Sequence, residues 1–478
     1  MGKCELPMRR QPKCRVRYSV FEGRIVPVDA HRSPVRAAVV LLAIAGAVPA
    51  RGQTPPADGF SVSGTTRLRV EAIDGQARAG FNTADQLVNL RSTLMAQVRE
   101  GPVRAVAELW DSRVWGDDAG TPISTGEVNT LELVQAFVEA KVPGALGTGT
   151  SATLAAGRFV LNLGSRRLVA ADDYRNTTNG YTGLRADLSW RKQWAATVIY
   201  TLPQQRRPDD RPSLARNAVA PDREGFDLVL WGGLLTRARA IGPVMAEVSF
   251  FHLGERDTAD RPTRDRSLDT LGLRLQRDPA AATLDGEFEG FVQRGTISAS
   301  TAPNAAPLPV RAWFVHADGG YTFPDRWKTR LSLEYDHASG DTPGGAFNRF
   351  DTLFGMRRAD LAPAGLYNAI VRSNVVSAGL RVEAQPSKRT DVMATLHPMW
   401  LAAREDAFSS TGVRDASGRS GSFAGTQFDA RVRHQPLSWL RLEVDGVVLA
   451  KGRFLKEAPN APRGNWTRYL SLNALASF

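Results

Sequence analysis

The last strand of the chain is the feature that most limits its fold. Reading back from Phe478, the residues Ala476, Ala474, Leu472 and Leu470 alternate with mostly polar positions, and the C-terminal residue is itself aromatic. A strand with lipid-compatible residues at every second position, ended by an aromatic residue, is typical of a transmembrane β-barrel. We therefore interpret the other alternating segments as barrel wall rather than as strands of a soluble sheet.

The same period of two recurs along most of the chain. Leu68 and Val70, for example, share a face opposite Arg67 and Arg69, and the other segments repeat this division between an aliphatic and a charged face. A soluble β-sandwich would instead bury bulky, interlocking side chains between two sheets. Alanine, valine and leucine on one face, with aromatic residues such as Trp190 near strand ends, favour lipid outside and water inside.

We predict an all-β fold, a membrane-spanning antiparallel up-and-down barrel of about eighteen strands. The predicted strands are residues 60–72, 86–99, 103–113, 130–142, 152–163, 181–190, 192–200, 225–236, 243–253, 268–277, 283–294, 309–323, 327–338, 372–385, 388–401, 425–435, 437–449 and 467–478. Short connections such as 101–102 alternate with long ones such as 339–371. Long extracellular loops alternating with short periplasmic turns are typical of outer-membrane barrels.

Residues 1–53 are predicted to be a leader that contains a secretory signal. A basic flank precedes an apolar run at 37–48, and small residues follow it. The run is shorter than the roughly 20 residues of a spanning helix and has the layout of a signal peptide. The alternative is a buried helix of a soluble protein. The candidate cleavage sites are Ala47, Ala50 and Gly52. We expect residues 1–32 to be an over-extended start, and residues 54–478 to form a single barrel domain.

The net charge of +12 comes mostly from the leader. The chain has 61 basic and 49 acidic residues, of which the leader holds ten and three, leaving 51 and 46 and a net charge of +5. This small excess does not indicate a nucleic-acid partner. Arginine outnumbers lysine by 53 to eight. Its planar guanidinium suits carboxylates and stays charged in a narrow pore.

Residues that could support catalysis or metal binding do not form a recognisable pattern. The six histidines are scattered, and the chain has neither a His-Glu-x-x-His nor a Gly-x-Ser-x-Gly motif. Both cysteines, Cys4 and Cys14, lie in the predicted leader, so the mature chain offers no thiolate. We therefore predict a protein that is not an enzyme and has no catalytic residue, metal or cofactor.

One region has a more specific pattern. Residues 157–169 read Gly-Arg-Phe-Val-Leu-Asn-Leu-Gly-Ser-Arg-Arg-Leu-Val, followed by Asp-Tyr-Arg-Asn-Thr at 173–177 and Tyr-Thr-Gly-Leu-Arg at 181–185. Further motifs are Asp-Ser-Arg-Val-Trp at 111–115 and the loop that contains Phe-Asp-Thr-Leu-Phe at 350–354. These motifs resemble the alginate export family of outer-membrane proteins. The resemblance implies a channel for an anionic polysaccharide in the outer membrane of a Gram-negative bacterium.

Arginines on the predicted inward faces are the candidate binding residues. A polyuronate carries one carboxylate per sugar and crosses a lumen only where cations offset its desolvation. The predicted pore-lining residues are Arg91, Asp111, Arg113, Arg158, Arg166, Arg167, Arg175, Arg185, Arg431 and Arg433. Asp111 is expected to hold the neighbouring arginines in place. The alternative is that arginines and acids pair across strands and stiffen the wall.

The predicted function is passive diffusion of an alginate-like polyuronate through an arginine-lined lumen. The predicted partners are the anionic polysaccharide, outer-membrane lipid, the barrel-insertion machinery and periplasmic proteins that handle the polysaccharide. Three alternatives stay open: a general porin for uptake of small anions, an outer-membrane hydrolase, and a soluble carbohydrate-binding sandwich.

Overall fold

A computed structural model describes residues 58–145, 147–172, 174–258, 260–357 and 360–478. The predicted leader, its signal peptide and its two cysteines lie outside the described residues. The order of elements below therefore begins at Gly59.

The described chain forms one closed antiparallel sheet of 18 strands. The strands are β1 (Gly59–Asp74), β2 (Ala84–Glu100), β3 (Val103–Trp115), β4 (Asn129–Pro143), β5 (Thr150–Phe159), β6 (Tyr181–Trp190), β7 (Trp194–Pro203), β8 (Leu228–Ile241), β9 (Val244–Glu255), β10 (Ser267–Arg277), β11 (Thr283–Ser298), β12 (Pro307–Thr322), β13 (Arg330–Ala338), β14 (Val375–Ser387), β15 (Thr390–Trp400), β16 (Phe423–Leu437), β17 (Leu440–Lys451) and β18 (Trp466–Ser477). Each strand pairs with its neighbours in sequence, and β1 pairs with β18 from Thr65↔Ser477 to Asp74↔Arg468. The barrel predicted from the alternating pattern is confirmed.

The two faces of the wall differ as the alternation predicts. Aliphatic residues on the outer face are exposed, and they include Leu94, Val98, Val138, Leu154, Leu184, Leu271, Leu273, Leu333, Val432 and Leu472. Charged and polar residues on the inner face are buried, and they include Arg67, Arg69, Glu71, Glu289, Gln293, Glu334, Asp336 and Asp429. In a membrane the exposed aliphatic face meets acyl chains, because a closed sheet leaves no backbone group unpaired there.

The connections alternate in length around the barrel. The short ones are 101–102, 144–149, 191–193, 242–243, 278–282, 323–329, 388–389 and 438–439. The long ones are 75–83, 116–128, 160–180, 204–227, 256–266, 299–306, 339–374, 401–422 and 452–465. By the architecture of outer-membrane barrels, the long connections mark the extracellular end. They contain two short helices, α1 (Arg211–Ala215) and α2 (Arg453–Glu457).

Helices have a minor part in this fold. The first, α1, begins after Asp210, whose carboxylate accepts a hydrogen bond from the Ser213 amide and so caps the helix. Within the described ranges, no helix has the length and apolar character that a membrane crossing requires.

The hydrophobic core lies inside the barrel, where two long connections fold inward against the wall. Phe350 from the connection 339–374 stacks with Phe291 of β11 and Phe314 of β12, with ring centroids 6.3 and 5.6 Å away. These three side chains are almost fully buried. Long loops of a barrel are usually solvated, so the burial of this connection shows that it is part of the folded interior.

Candidate functional site

Residues 160–180, which connect β5 to β6, form the first inward segment. The side-chain amide of Asn176 donates to the carbonyls of Leu90, Arg113 and Glu127, at 3.2, 3.0 and 2.8 Å. The Asn176 carbonyl in turn accepts from the Ser112 hydroxyl at 2.7 Å. One buried asparagine thus anchors the segment to β2, β3 and the connection that follows β3.

Arginines of the wall bind the backbone of the same segment. Arg67 donates to the carbonyls of Tyr174 and Arg175 at 3.0 and 2.6 Å. Arg69 donates to the Tyr174 carbonyl at 2.7 Å, and Arg91 donates to the Arg175 carbonyl at 3.1 Å. The Tyr174 hydroxyl reaches Asp445 of β17 at 3.2 Å. The first inward segment therefore reaches from β5 and β6 to β1, β2 and β17.

Residues 339–374, which connect β13 to β14, form the second inward segment. Its Phe354 amide donates to the Leu168 carbonyl at 2.9 Å, and the Met356 amide donates to the Arg166 carbonyl at 2.9 Å. The buried Tyr367 hydroxyl donates to Gln427 of β16 at 2.5 Å. Backbone pairing between the two inward segments makes them one folded unit inside the lumen.

A group of charged residues ties this unit to the wall, and we call it the clamp. Arg167 of the first inward segment contacts Glu287 and Glu289 of β11 at 2.7 and 2.6 Å, and Asp360 of the second segment at 2.9 Å. Arg372 also contacts Asp360. The guanidinium charges of Arg167 and Arg372 hold the pKa of Asp360 well below its usual range despite burial. The clamp therefore consists of charges that are already paired.

A second group of arginines in the long connections, which we call the arginine cluster, comprises Arg78, Arg175, Arg206 and Arg357. Arg175 pairs with Asp172 at 2.9 Å. Arg206 donates to the carbonyls of Thr125 and Thr178 and to the Asn179 amide oxygen, and Arg357 donates to the Asn368 amide oxygen. Arg78 lies over the ring of Phe81, 4.5 Å from its centroid. Arg78, Arg206 and Arg357 form no ion pair within the part of the chain that the structure describes.

Neighbouring guanidiniums in the arginine cluster raise the local positive potential. Burial, and next the charge of Arg175, lowers the pKa of Arg206 to about 9. Burial, and next the charges of Arg175 and Arg78, with Asp172 opposing them, lowers the pKa of Arg357 to about 10. Since these side chains stay charged at neutral pH, the cluster favours an incoming anion.

The predicted pore-lining arginines of the motif region lie in different environments. Arg158 contacts Glu132 at 2.8 Å and Glu224 at 3.0 Å, and Arg185 contacts Asp187 at 2.7 Å. Arg166 contributes its backbone to the pairing of the inward segments, and its side chain forms no ion pair with a described residue. Arg167 belongs to the clamp, and Arg175 is the one predicted residue that belongs to the arginine cluster.

The remaining predicted residues lie on the wall. Arg91 is buried under the first inward segment, 4.6 Å from the ring centroid of Trp110. Arg431 and Arg433 lie 3.5 and 3.8 Å from Asp391 on the neighbouring strand, and Arg433 also contacts Glu443 at 2.8 Å. These two residues thus sit in a cross-strand ion-pair network, well separated in sequence from the motif region.

Asp111 and Arg113 do not line the lumen, contrary to the sequence prediction. They share the face of β3 that carries the exposed Leu109, and they pair with each other at 2.8 Å. The opposite face of β3 carries Ser112, whose hydroxyl contacts the first inward segment. The period of two therefore places Asp111 on the outer side, away from the arginines of the motif region, and Arg113 is the one predicted arginine with which it pairs in the described chain.

The glycines of the motif have a steric role. Gly157 and Gly183 face each other across β5 and β6 with φ values of 124° and 159°. A Cβ atom at Gly183 would lie 2.1 Å from the Tyr200 carbonyl oxygen, and one at Gly157 would lie 2.4 Å from the Ala136 carbonyl oxygen. Only glycine allows β5 to approach β4, and β6 to approach β7, this closely beside the first inward segment.

A cavity of about 260 Å³ opens beside the clamp. Its lining mixes bases and acids, namely Arg167, Arg274, Arg277, Arg330, Arg381, Asp285, Glu287, Asp318, Glu334 and Asp360. The nearby His316, Asp336 and Asp360 could bring three ligand atoms within 4.8 Å of one another. Asp360 is, however, engaged by two guanidiniums, and His316 lies 2.9 Å from Asp336. These residues therefore fit a paired charge network better than a metal site.

The sequence and the fold were each compared with known proteins, and both comparisons support an outer-membrane barrel. The sequence pattern of the family described as alginate export matches residues 59–467. No curated protein matches the sequence. The fold is similar to Pseudomonas aeruginosa OccK2 (OpdF) in complex with glucuronate, with a TM-score of 0.54, 12% identity and coverage of 89% of this chain and 99% of that chain. It is also similar to Acinetobacter baumannii OccAB2, with a TM-score of 0.53, 14% identity and coverage of 88% and 98%.

A third similar structure is P. aeruginosa OpdK with vanillate, with a TM-score of 0.52, 10% identity and coverage of 87% of this chain and 98% of that chain. At these identities the likeness concerns the fold. The family match and the barrel together place the chain in the Gram-negative outer membrane and indicate a channel rather than an enzyme.

Proposed function

This chain belongs to the alginate export family, and on that basis we propose that it is an outer-membrane channel for an anionic polysaccharide or oligosaccharide, an alginate-like polyuronate. Transport would be passive, and it would need neither catalysis nor a cofactor. The arginine cluster is the observation that supports this substrate class, because it combines four guanidiniums with one ion-paired carboxylate, Asp172, inside the barrel.

Arginines in the lumen can compensate the cost of removing a carboxylate from water. A uronate carboxylate that leaves bulk water loses hydration, and several partly exposed guanidiniums can replace it with charge-assisted hydrogen bonds. Arg206 and Arg357 at present donate to carbonyl and amide oxygens, which are weaker acceptors than a carboxylate. A passing carboxylate would gain these donors at little cost to the fold.

The channel must also release its substrate, since a channel that binds too tightly does not conduct. Among the predicted pore-lining residues, Arg158, Arg185 and Arg433 are paired with acids. We propose that these pairs line the path beyond the arginine cluster and that their acids keep each binding step weak. A flexible polyanion would then move between sites of similar, modest affinity.

Single-channel recording tests this proposal. Purified protein in a planar bilayer should show current blockade by mannuronate or guluronate oligomers, and no blockade by neutral oligosaccharides of matched length. The Arg206→Gln/Arg357→Gln variant should shorten the blockades about tenfold or more, because one charge-assisted hydrogen bond contributes about 1.5–3 kcal/mol. The matched control is Arg453→Gln, which removes an exposed arginine paired with Glu457 on α2. If the oligomers never block the current, the proposal of polyuronate transport is wrong.

Uptake of small carboxylates is the second candidate. OccK2, which shares the fold, was crystallised with glucuronate, a single carboxylated sugar. The arginine cluster would accept a monomer through the same contacts. If glucuronate competes as well as a long oligomer at equal carboxylate concentration, the channel selects small anions. If affinity rises steeply with oligomer length, it selects the polymer.

A further inference from the structure

A pair of arginines projects from the outer surface near the extracellular end of the barrel. Arg294 of β11 and Arg311 of β12 are directly opposed in the sheet register, and both are exposed. They share their strand faces with the outward-facing Val292 and Trp313. Each lies four residues from the end of its strand that joins the connection 299–306. The pair is thus on the lipid side of the wall, close to the membrane surface.

Like charges directly opposed on a sheet destabilise it unless an anion compensates them. Two other opposed arginine pairs of this chain have an acceptor for their guanidinium groups. Arg67 and Arg91 are also directly opposed, and both donate to the Arg175 carbonyl. At the periplasmic end, Arg99 and Arg104 are opposed, and Glu139 lies 3.5 and 3.3 Å from them.

The outer pair has no such acceptor among the described residues. Across the described residues, neither Arg294 nor Arg311 forms an ion pair or a side-chain hydrogen bond. The carboxylate opposite Arg294 on β10 is Asp269, and it is bound to His252 at 2.7 Å instead. The two guanidiniums are therefore left facing the surroundings of the barrel.

The neighbouring aromatic residues set the depth of the pair in the membrane. Trp313, 39% exposed, lies two residues from Arg311 toward the membrane centre, and Trp231, 41% exposed, lies opposite His252. Exposed tryptophans of barrels sit at the headgroup level. Arg311 lies just beyond this belt, where long basic side chains reach the headgroups and where the outer leaflet presents phosphate.

We propose that Arg294 and Arg311 form a binding site for the phosphate-bearing headgroup of an outer-leaflet lipid. Two adjacent guanidiniums can donate several hydrogen bonds to the oxygens of one phosphate. The planar guanidinium is well suited to such bidentate hydrogen bonds. The lipid phosphate supplies the ion-pair partner that neither guanidinium has among the described residues. Other outward positions along the same rim carry apolar or aromatic side chains such as Tyr200, Phe423 and Trp466, or an arginine with a carboxylate partner such as Arg468 with Asp74.

Lipid binding to the purified barrel in neutral detergent tests this proposal. Native mass spectrometry with diphosphorylated lipid A as the probe should show one tightly held lipid on the wild-type protein. The Arg294→Ala/Arg311→Ala variant should bind it about tenfold or more weakly, and Arg294→Lys/Arg311→Lys should recover part of that loss. Arg468→Ala is the matched control, because Arg468 is also outward and exposed near the extracellular end but has its own partner, Asp74, at 3.7 Å.

The comparisons within this experiment decide the identity of the ligand. Dephosphorylated lipid A should bind the wild type as weakly as it binds the double alanine variant. Displacement of lipid A by millimolar inorganic phosphate would show that a free anion suffices and would overturn the lipid assignment. Equal binding of lipid A by the wild type and the double alanine variant would overturn the site itself. Heat-modifiable mobility in gels confirms for each variant that the barrel is folded.

Discussion

In the clamp, the guanidiniums of Arg167 and Arg372 meet three carboxylates, whereas in the arginine cluster most guanidiniums meet carbonyl and amide oxygens. The arginines of both groups lie in the inward segments and the loops around them. Their difference lies in the acceptors. Paired charge in the clamp fixes the position of the backbone, and we propose that Arg206 and Arg357, which form no ion pair with a described residue, bind the ligand.

The loss of an arginine should therefore have different consequences in the clamp and in the arginine cluster. Removal of the Arg167 guanidinium leaves the buried Glu289 without a charged partner among the described residues and leaves Asp360 with Arg372 alone, so the fold of the interior should suffer. Removal of Arg206 or Arg357 from the cluster breaks no ion pair between described residues, so the fold should persist and selectivity should change.

The largest effect should come from Arg167→Met, which leaves Glu287, Glu289 and Asp360 without their shared partner. Breaking a buried ion pair costs about 3–5 kcal/mol, enough to release the inward segments from β11. We expect a larger and noisier single-channel conductance, with an intact barrel by heat-modifiable mobility. A conductance equal to that of the wild type would show that the clamp does not hold the lumen in its present shape.

The clamp should also be insensitive to pH over the physiological range. The neighbouring guanidiniums lower the pKa of Asp360 in the folded protein, so its contribution to stability is present above the unfolded pKa of about 3.9. It is lost only as the pH falls through the lower folded value. Conductance steps should therefore keep their size between pH 8 and pH 5, and a jump within that range would contradict this view of the clamp.

A smaller effect is expected from the arginine cluster. Arg206→Gln/Arg357→Gln should leave the thermal transition of the barrel near that of the wild type, because neither residue is ion-paired with a described residue. The reversal potential in a salt gradient should shift toward lower anion selectivity, since two positive charges leave the lumen. If this variant instead behaved like Arg167→Met, the cluster would be a structural element and the comparison would fail.

The sequence predicted the wall far better than the interior. Strand positions follow from a local period of two, which each segment displays on its own, as in Arg67 to Val70. The acceptor of an arginine is a long-range property: Arg167 meets Glu287 and Asp360, which lie more than a hundred residues further along the chain. No local pattern distinguishes a paired guanidinium from an available one.

The same reason explains which residues the sequence missed. Arg78, Arg206 and Arg357 come from three different connections, and only the folding of those connections into the barrel brings them near Arg175. Loop arginines carry no periodic signal that could indicate this meeting. The prediction that Asp111 lines the lumen was wrong for a different reason. Asp111 belongs to a recognisable motif, but it shares its face of β3 with Leu109, so the alternation already indicated that it lies outside.

Anchoring of the first inward segment should be sensitive to an isosteric change. Asn176→Asp replaces an amide that donates to three carbonyls with an oxygen that repels them. Burying such a mismatch costs about 1–3 kcal/mol, less than loss of the clamp. We expect frequent brief changes of conductance, which the control Asn465→Asp, at an exposed loop position, should not show. If the Asn176→Asp currents were as steady as those of the wild type, the arginine contacts alone would be sufficient to anchor the segment.

The smallest effect should be a pH dependence of selectivity that originates at Asp222, beside the arginine cluster. Burial, and next the charge of Glu132, raises the pKa of Asp222 to about 7, and Arg206 is among the charges that oppose this shift. As the pH falls from 8 to 6, Asp222 takes up a proton, so a negative charge near Arg206 disappears. The reversal potential should then shift modestly toward higher anion selectivity, and Asp222→Asn should fix it at the low-pH value. Because unfolded aspartate titrates near 3.9, the folded protein binds the extra proton between about pH 4 and 7, and its stability should decline as the pH rises through that range. A pH shift that survives in Asp222→Asn would move its origin away from the cluster.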